Sequence, residues 1–115
     1  MRLWLQAADT GLADAEAALA RSYMNGEGVA QDYEAALRFA RRAADKGHAG
    51  GETNLGALYA NGWGVPQDVR EAIKWWAKAA AKGEEGAIMN LRTFAAEPVG
   101  VPEAAAALRR LRLAP

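Results

Sequence analysis

Few side chains of this chain carry the chemistry of a catalytic nucleophile or a metal ligand. Its 115 residues include no cysteine and one histidine, His48, which excludes thiolate catalysis, iron–sulfur clusters and metal sites built from several histidines. The only serine, Ser22, is far from His48 along the chain, and the adjacent Glu84 and Glu85 are typical of solvated loop charges. His48 itself is predicted to be a solvated linker residue. The sequence therefore predicts no catalytic residue, no metal site and no cofactor.

The composition is that of a folded globular domain without a strongly charged partner. Hydrophobic residues make up 51% and charged residues 24% of the chain, which are ordinary proportions. Fourteen Lys and Arg balance fourteen Asp and Glu, so no basic surface for nucleic acid or an anionic membrane is predicted. No apolar stretch approaches the roughly 20 residues that span a bilayer, and residues 1–8 lack a signal-peptide core. A cytoplasmic location is predicted.

The sequence repeats itself with an offset of 36 residues. Residues 19–54 and 55–90 align without a gap and share 15 identical positions out of 36. The offset places Leu19 on Leu55, and it matches the turn sequence at 25–29 with that at 61–65. A fixed period of this length is typical of solenoids, in which each unit stacks on its neighbours.

Each repeat unit is predicted to form two helices. In the first helix, small or large apolar residues recur every four positions, as in Ala15, Leu19 and Tyr23, and this stripe is predicted to face the core. The sequence Asn-Gly at 61–62 is predicted to end the first helix, and Asp68 to begin the second as its N-cap. No segment has the pattern of a strand, so the fold class is all-α.

The aromatic residues of the helices are predicted to be structural. Phe39, Tyr59 and Trp75 lie at core spacing within their units. Trp76 is expected to pack with partial exposure on the convex side. Trp63 differs because it lies between two glycines in a tight loop. Two interpretations of Trp63 remain open, an exposed interface anchor and a ring that packs within the loop.

The repeat boundaries predict one domain over residues 1–115. Residues 1–12 are expected to be the second helix of a partial N-terminal repeat, because 7–11 match 43–47. Residues 13–48 are repeat 1, and residues 49–84 are repeat 2. Residues 85–115 are expected to be a degenerate repeat with a capping helix. Because the chain opens within a repeat, it is expected to be part of a longer array.

These residues resemble the Sel1-like repeat family, the α/α-hairpin relatives of tetratricopeptide repeats. The positions of repeat 2 that meet the family pattern are Leu55, Gly56, Tyr59, Gly62, Gly64, Val65, Asp68, Ala72, Trp75, Ala79, Ala80 and Gly83, with Gly51 in place of the leading alanine. The resemblance implies a right-handed α/α superhelix of antiparallel helix hairpins, with two full repeats and partial end repeats.

The resemblance also implies a function. Proteins with this repeat, many of them bacterial, are as a family scaffolds and adaptors that hold other proteins, which implies that this chain is not an enzyme. The implied function is a protein-interaction module that binds a protein or peptide on its concave face, or that self-associates. Some secreted members carry disulfides and are described as binding or hydrolysing β-lactams. A small-ligand or cell-wall-fragment binder or hydrolase is therefore the alternative, although the absence of cysteine departs from those members.

Partner-binding residues are predicted on the concave face, which the first helix of each hairpin lines in such superhelices. There the side chains opposite the predicted core stripe are small, polar or flexible. The residues predicted to contact a partner are Arg21, Met24, Thr53, Asn54, Met89, Asn90 and Thr93 on or beside this face, together with Trp63 in the loop. The partner is expected to be a protein or peptide, and a homodimer through the open solenoid ends is also expected.

Overall fold

The computed structural model describes residues 2–96 and 100–113, with side chains described from residue 12 onward. Within these ranges the chain forms helices and no strand. The helices are α1 (Arg2–Asn25), α2 (Tyr33–Asp45), α3 (Ala49–Asn61), α4 (Val69–Ala81), α5 (Glu85–Ala95) and α6 (Pro102–Arg110). The predicted all-α fold class is confirmed.

The helices follow one another as hairpins in a short solenoid. Each helix packs against the next along the chain, and α1 also contacts α3 while α4 contacts α6. First helices of neighbouring hairpins therefore share one surface of the solenoid, and second helices share the other. This arrangement brings residues 36 positions apart into equivalent places.

Local signals in the sequence set the helix ends. The side chain of Asp32 accepts hydrogen bonds from the backbone N–H groups of Glu34 and Ala35, and Asp68 accepts one from Glu71. Both act as N-caps, as predicted for Asp68. Gly62 ends α3 with φ of 68°, in the left-handed region that a residue with a Cβ adopts at a cost.

Trp76 is the largest fully buried side chain among the described residues, with 2% of its surface exposed. Its indole Nε1 donates a hydrogen bond to the Thr53 carbonyl at 3.1 Å. A Cβ placed on Gly56 would lie 2.4 Å from that nitrogen, so the missing side chain of Gly56 creates the space for the ring. The expectation that Trp76 is partly exposed on the convex side is therefore wrong.

The core stripe of α1 differs from the predicted one. Ala15 is exposed and Leu19 is 37% exposed, although the equivalent Leu55 in α3 is fully buried. The buried apolar residues of α1 are instead Ala13, Ala17, Ala20 and Met24. The reason is that α2 covers Gly51 and Leu55 in α3, whereas no second helix among the described residues lies over Ala15 and Leu19 in α1. Tyr23, the third residue of the predicted stripe, does pack against the core and stacks on Phe39.

The beginning of α1 also differs from the expected boundary. A helix was expected to end near residue 12 and a new one to start at residue 13. In the structure α1 is continuous from Arg2 to Asn25. No proline interrupts this stretch, and a glycine inside a helix costs only about 1 kcal/mol, so Gly11 does not force a turn.

Candidate functional site

The first helices of the hairpins form a shallow groove on their shared surface. It has a volume of about 250 Å³ and lies between α1 and α3, reaching the residue that precedes α5. We call it the first-helix groove; its lining residues are Ala17, Ala18, Arg21, Gly50, Thr53, Asn54 and Glu84. The structure thus brings together Arg21, Thr53 and Asn54, three of the residues predicted to contact a partner.

Polar side chains in the groove tie neighbouring helices together. The Nδ2 of Asn54 donates to the Ala17 carbonyl at 3.2 Å, which joins α3 to α1. The Oγ1 of Thr53 donates to Oε2 of Glu84 at 2.7 Å, and the same carboxylate caps α5 by accepting from the N–H of Ala87 at 2.8 Å. The negative charge of Glu84 is therefore held in a fixed position at one side of the groove.

Arg21 supplies a positive charge at the opposite side of the groove. Its Nε lies 3.8 Å from Oε1 of Glu27, and the two side chains are 72% and 58% exposed. An exposed pair of this length contributes about 0–1 kcal/mol. A ligand carboxylate or carbonyl can therefore take the place of Glu27 at small cost.

A second depression continues the first-helix surface on α5. It has a volume of about 300 Å³ and is lined by Glu85, Ile88, Met89 and Arg92. Met89 is 65% exposed, the most exposed large hydrophobic side chain of the described residues.

Two other predicted residues of α5 lie outside the depressions described above. Asn90 is half-buried. Thr93 is exposed, and its Oγ1 donates to the Met89 carbonyl at 2.9 Å.

Met24 and Trp63 lie away from the groove. Met24 is 8% exposed and packs in the core with residues of α2 and α3. Its predicted place on the concave stripe is wrong, because α1 turns that side toward α2. Trp63 stacks on Tyr33, with ring centroids 5.0 Å apart and planes 9° from parallel. Its ring packs within the turn region, which is the second of the two interpretations.

Two buried ion pairs at equivalent positions were missed from the sequence. Glu16 and Glu52 are 4% and 3% exposed. The Nζ of Lys46 is 2.7 Å from Oε1 of Glu16, and that of Lys82 is 2.8 Å from Oε1 of Glu52. The signal was available, since both the acid and the lysine recur with the 36-residue offset. Each pair joins the first helix of a unit to the end of its second helix.

His48 has a structural role that its sequence context did not suggest. Its Nδ1 accepts a hydrogen bond from the N–H of Gly51 at 3.1 Å, so the ring caps α3. Its Nε2 contacts a carboxylate oxygen of Asp14 on α1. The prediction of a solvated linker residue is therefore wrong, since the ring connects repeat 2 to repeat 1.

Residues 2–96 and 100–113 lack two features, a cluster of metal ligands and a membrane-spanning helix. No group of three or more His, Asp or Glu side chains there has the arrangement of a metal site. No helix in the same ranges is long and apolar enough to cross a membrane.

Known structures with the same architecture are repeat proteins. The chain is similar to a Sel1 repeat protein from Oxalobacter formigenes, with 31% identity and a TM-score of 0.69 over 87% of this chain. It is also similar to c5321, a protective antigen present in uropathogenic Escherichia coli strains that displays an SLR fold, with 34% identity and a TM-score of 0.72 over 97% of this chain. The chain spans 41% and 25% of the lengths of these two proteins.

The sequence comparisons agree with the structural ones. No functionally curated protein matches the sequence significantly. The sequence profile of the Sel1 repeat matches residues 13–48 and 49–84, the same two ranges that the internal offset defines. Proteins of this family are generally non-catalytic, protein-interaction repeat scaffolds. Since the profile matches more than half of the chain, this protein belongs to the Sel1 repeat family.

Proposed function

We propose that this chain is a non-catalytic protein-interaction module that binds an extended segment of a partner protein in the first-helix groove. The observation that carries the proposal is the groove itself, which has Arg21 on one side, Glu84 on the other and the exposed Met89 on the neighbouring helix. A charged group at each side and an apolar contact beyond them suit a peptide that lies across successive helices.

The size of the depressions favours a protein segment over a small ligand. The two depressions have volumes of about 250 and 300 Å³. Small-molecule sites are typically clefts or cavities of about 300–1,000 Å³ that bury most of the ligand surface. A shallow surface at the lower limit of that range cannot surround a small molecule, whereas an extended chain gains contact area along its length.

The chemistry of the groove predicts the kind of segment that binds. The guanidinium of Arg21 favours an acidic side chain or a backbone carbonyl, because exchange for Glu27 costs little. Met89 has a flexible thioether side chain that adapts to different apolar partners. We therefore expect a segment with an acidic residue near Arg21 and an apolar residue on the Met89 side.

Selection of peptides from a random 12-residue phage library on the immobilised chain tests this proposal. The recovered peptides are synthesised, and their binding to the wild-type chain and to variants is measured by fluorescence anisotropy. Arg21→Glu is expected to raise the Kd at least tenfold, and Met89→Ala severalfold. The matched control is Lys74→Glu, an exposed charge reversal on α4, which is expected to change the Kd less than twofold.

Chemical-shift mapping then locates the peptide on the 12.2 kDa chain. Shifts are expected to concentrate on α1, α3 and the beginning of α5. Peptides that perturb α4 and α6 instead, or that bind the Arg21→Glu variant as tightly as the wild type, would contradict the proposed groove.

A further inference from the structure

α1 carries an apolar face that points away from both the core and the first-helix groove. Leu12 is 49% exposed, Leu19 is 37% exposed, and Ala15 between them is also exposed. We call these three residues the stacking face. At 100° per residue, Leu19 and Arg21 project about 160° apart around the helix, whereas Ala15 and the groove residue Ala18 are about 60° apart. The stacking face and the groove therefore adjoin at one edge and share no residue.

Repeat 2 shows what covers the equivalent face. In α3 the residues that correspond to Ala15 and Leu19 are Gly51 and Leu55, and both are buried. A Cβ on Gly51 would lie 2.4 Å from the Cβ of Ala43, so α2 lies directly on this face. The natural occupant of a stacking face is therefore the second helix of a preceding repeat.

The chain contains the sequence of such a covering helix. Residues 1–11 correspond to residues 37–47, which are the C-terminal part of α2 and the two residues after it. The shared residues are Arg2, Ala7, Ala8, Asp9 and Gly11. In the structure residues 2–11 belong to the continuous helix α1. A continuous helix does not fold back on itself, so the segment and the face that it matches do not meet within one chain.

We propose that the stacking face binds residues 1–11 of a second copy of this chain, so that two α1 helices pair antiparallel around a two-fold axis. The exchange of a repeat-like helix between two copies is domain swapping. Both copies supply one segment and one face, so the contact closes on itself as a dimer.

The register of the pair follows from repeat 2. The contact of Ala43 with Gly51 places Ala7 of one copy opposite Ala15 of the other. The series at four-residue spacing is Leu3, Ala7, Gly11, Ala15 and Leu19, which has the same residue types in both directions. In this register Leu3 of one copy pairs with Leu19 of the other, Ala7 pairs with Ala15, and the two Gly11 residues lie at the axis. The series is therefore complementary to an antiparallel copy of itself.

The contact between the two α1 helices is expected to differ in one respect from the contact of α2 with α3. Gly51 allows α2 to approach so closely that a methyl group would overlap, whereas Ala15 has that methyl group. The two α1 helices must therefore lie slightly further apart than α2 and α3. The antiparallel arrangement also opposes the two helix dipoles, which is favourable.

This inference rests on the proposed function only in treating the chain as an interaction module. It names a different surface and a specific partner. A variant of the stacking face is expected to keep peptide binding in the first-helix groove, and Arg21→Glu is expected to keep the dimer, so the two proposals fail separately.

The mass of the full chain in solution is the first test. Size exclusion with light scattering, in a series up to about 200 µM, is expected to give twice the chain mass of 12.2 kDa. Leu19→Glu is expected to raise the dissociation constant at least tenfold, because it places a carboxylate in the apolar contact. Met89→Glu on α5 is the matched control and is expected to leave the mass unchanged. A monomer throughout the series overturns the proposal, as does a dimer that Met89→Glu disrupts and Leu19→Glu does not.

An engineered disulfide tests the register, even where Leu19→Glu impairs folding. The chain has no cysteine of its own, so the double variant Ala7→Cys/Ala15→Cys is expected to form a covalent dimer on oxidation. The control Ala7→Cys/Ser22→Cys moves the second thiol about 10 Å along the helix, beyond the reach of a disulfide, and is expected to cross-link at least tenfold more slowly. An intramolecular disulfide in Ala7→Cys/Ala15→Cys shows that the segment folds back on its own chain and overturns the proposal.

Discussion

Leu19 and Leu55 occupy the same position of two repeats, yet Leu55 is fully buried and Leu19 is 37% exposed. Repeats 1 and 2 share their helix order, their N-cap aspartates and their buried Glu–Lys pairs. They differ in what lies against the first helix. In repeat 2, α2 covers one side of α3 and α4 covers the other. In repeat 1, α2 covers one side of α1, and the stacking face remains exposed.

The comparison separates two kinds of packing within a Sel1 repeat unit. The hairpin contact inside a unit uses residues such as Ala20 and Gly56, which face the second helix of their own unit. The contact between units uses the stacking positions, Leu19 and Leu55. A residue of the first kind is buried in every unit, whereas one of the second kind is buried only when a preceding helix is present.

The largest expected effect on stability is at Trp76, where the contact between the two helices of a hairpin differs between the repeats. Trp76 is fully buried against Gly56, whereas repeat 1 has Ala40 in the equivalent place. Trp76→Ala is expected to lower the free energy of unfolding by about 3–5 kcal/mol, because it leaves a large cavity. Urea denaturation followed by circular dichroism measures the change. The half-buried neighbour Trp75 offers a control, because Trp75→Ala is expected to lower the free energy of unfolding clearly less. Equal losses for the two variants would show that Trp76 does not anchor the hairpin.

A smaller effect is expected where α2 lies on α3. Gly51→Ala places a Cβ 2.4 Å from that of Ala43 and 3.0 Å from backbone atoms of α2. The helix must shift, so a loss of about 1–3 kcal/mol in the free energy of unfolding is expected. Ala15→Met adds more volume at the equivalent position of repeat 1, yet it should change stability by less than about 0.5 kcal/mol in dilute protein. Thermal or urea unfolding measures both variants. Similar losses in the free energy of unfolding for Gly51→Ala and Ala15→Met would contradict the difference in packing between the two repeats.

The smallest expected effect is the difference in stability loss between variants of the two Glu–Lys ion pairs. Lys82→Met leaves the buried carboxylate of Glu52 without its cation, and a loss of about 2 kcal/mol is expected. This is less than the loss for a fully buried pair, because the Lys82 side chain is 43% exposed and water reaches it. Lys46→Met should cost about half as much, since Nη1 of Arg42 lies 4.0 Å from Oε2 of Glu16 and keeps a cation nearby.

Urea unfolding of both variants measures the difference. The variant Arg42→Met combined with Lys46→Met is expected to raise the loss in repeat 1 to that of Lys82→Met. If the double variant loses no more free energy of unfolding than Lys46→Met alone, Arg42 does not support the pair.

The candidate site was predictable in part. Arg21, Thr53 and Asn54 were placed on one surface from helical periodicity, and the structure puts them in one groove. Met24 was assigned to the same surface and is in the core, because it lies at the edge between the groove and the side of α1 that faces α2. A shift of one residue rotates a side chain by 100°, so residues at such an edge are assigned with least accuracy.

The roles of Glu84 and His48 could not be predicted from their neighbours in sequence. Each caps a helix with its side chain and contacts a residue on the first helix of the preceding hairpin, Thr53 for Glu84 and Asp14 for His48. The capping part depends on local geometry, but glutamate and histidine are less typical caps than aspartate or serine. The second contact depends on how the units stack, and the sequence of one unit does not contain that information.

The sequence by itself determined the helices, most of their ends and the family to which the chain belongs. These features follow from interactions within a few residues, such as N-caps, left-handed glycines and helical periodicity, and from a repeat of 36 positions that is visible without a structure. The tertiary structure alone decided which apolar faces are covered. Burial depends on whether another helix lies nearby, so two leucines in the same sequence context have different surroundings in repeats 1 and 2.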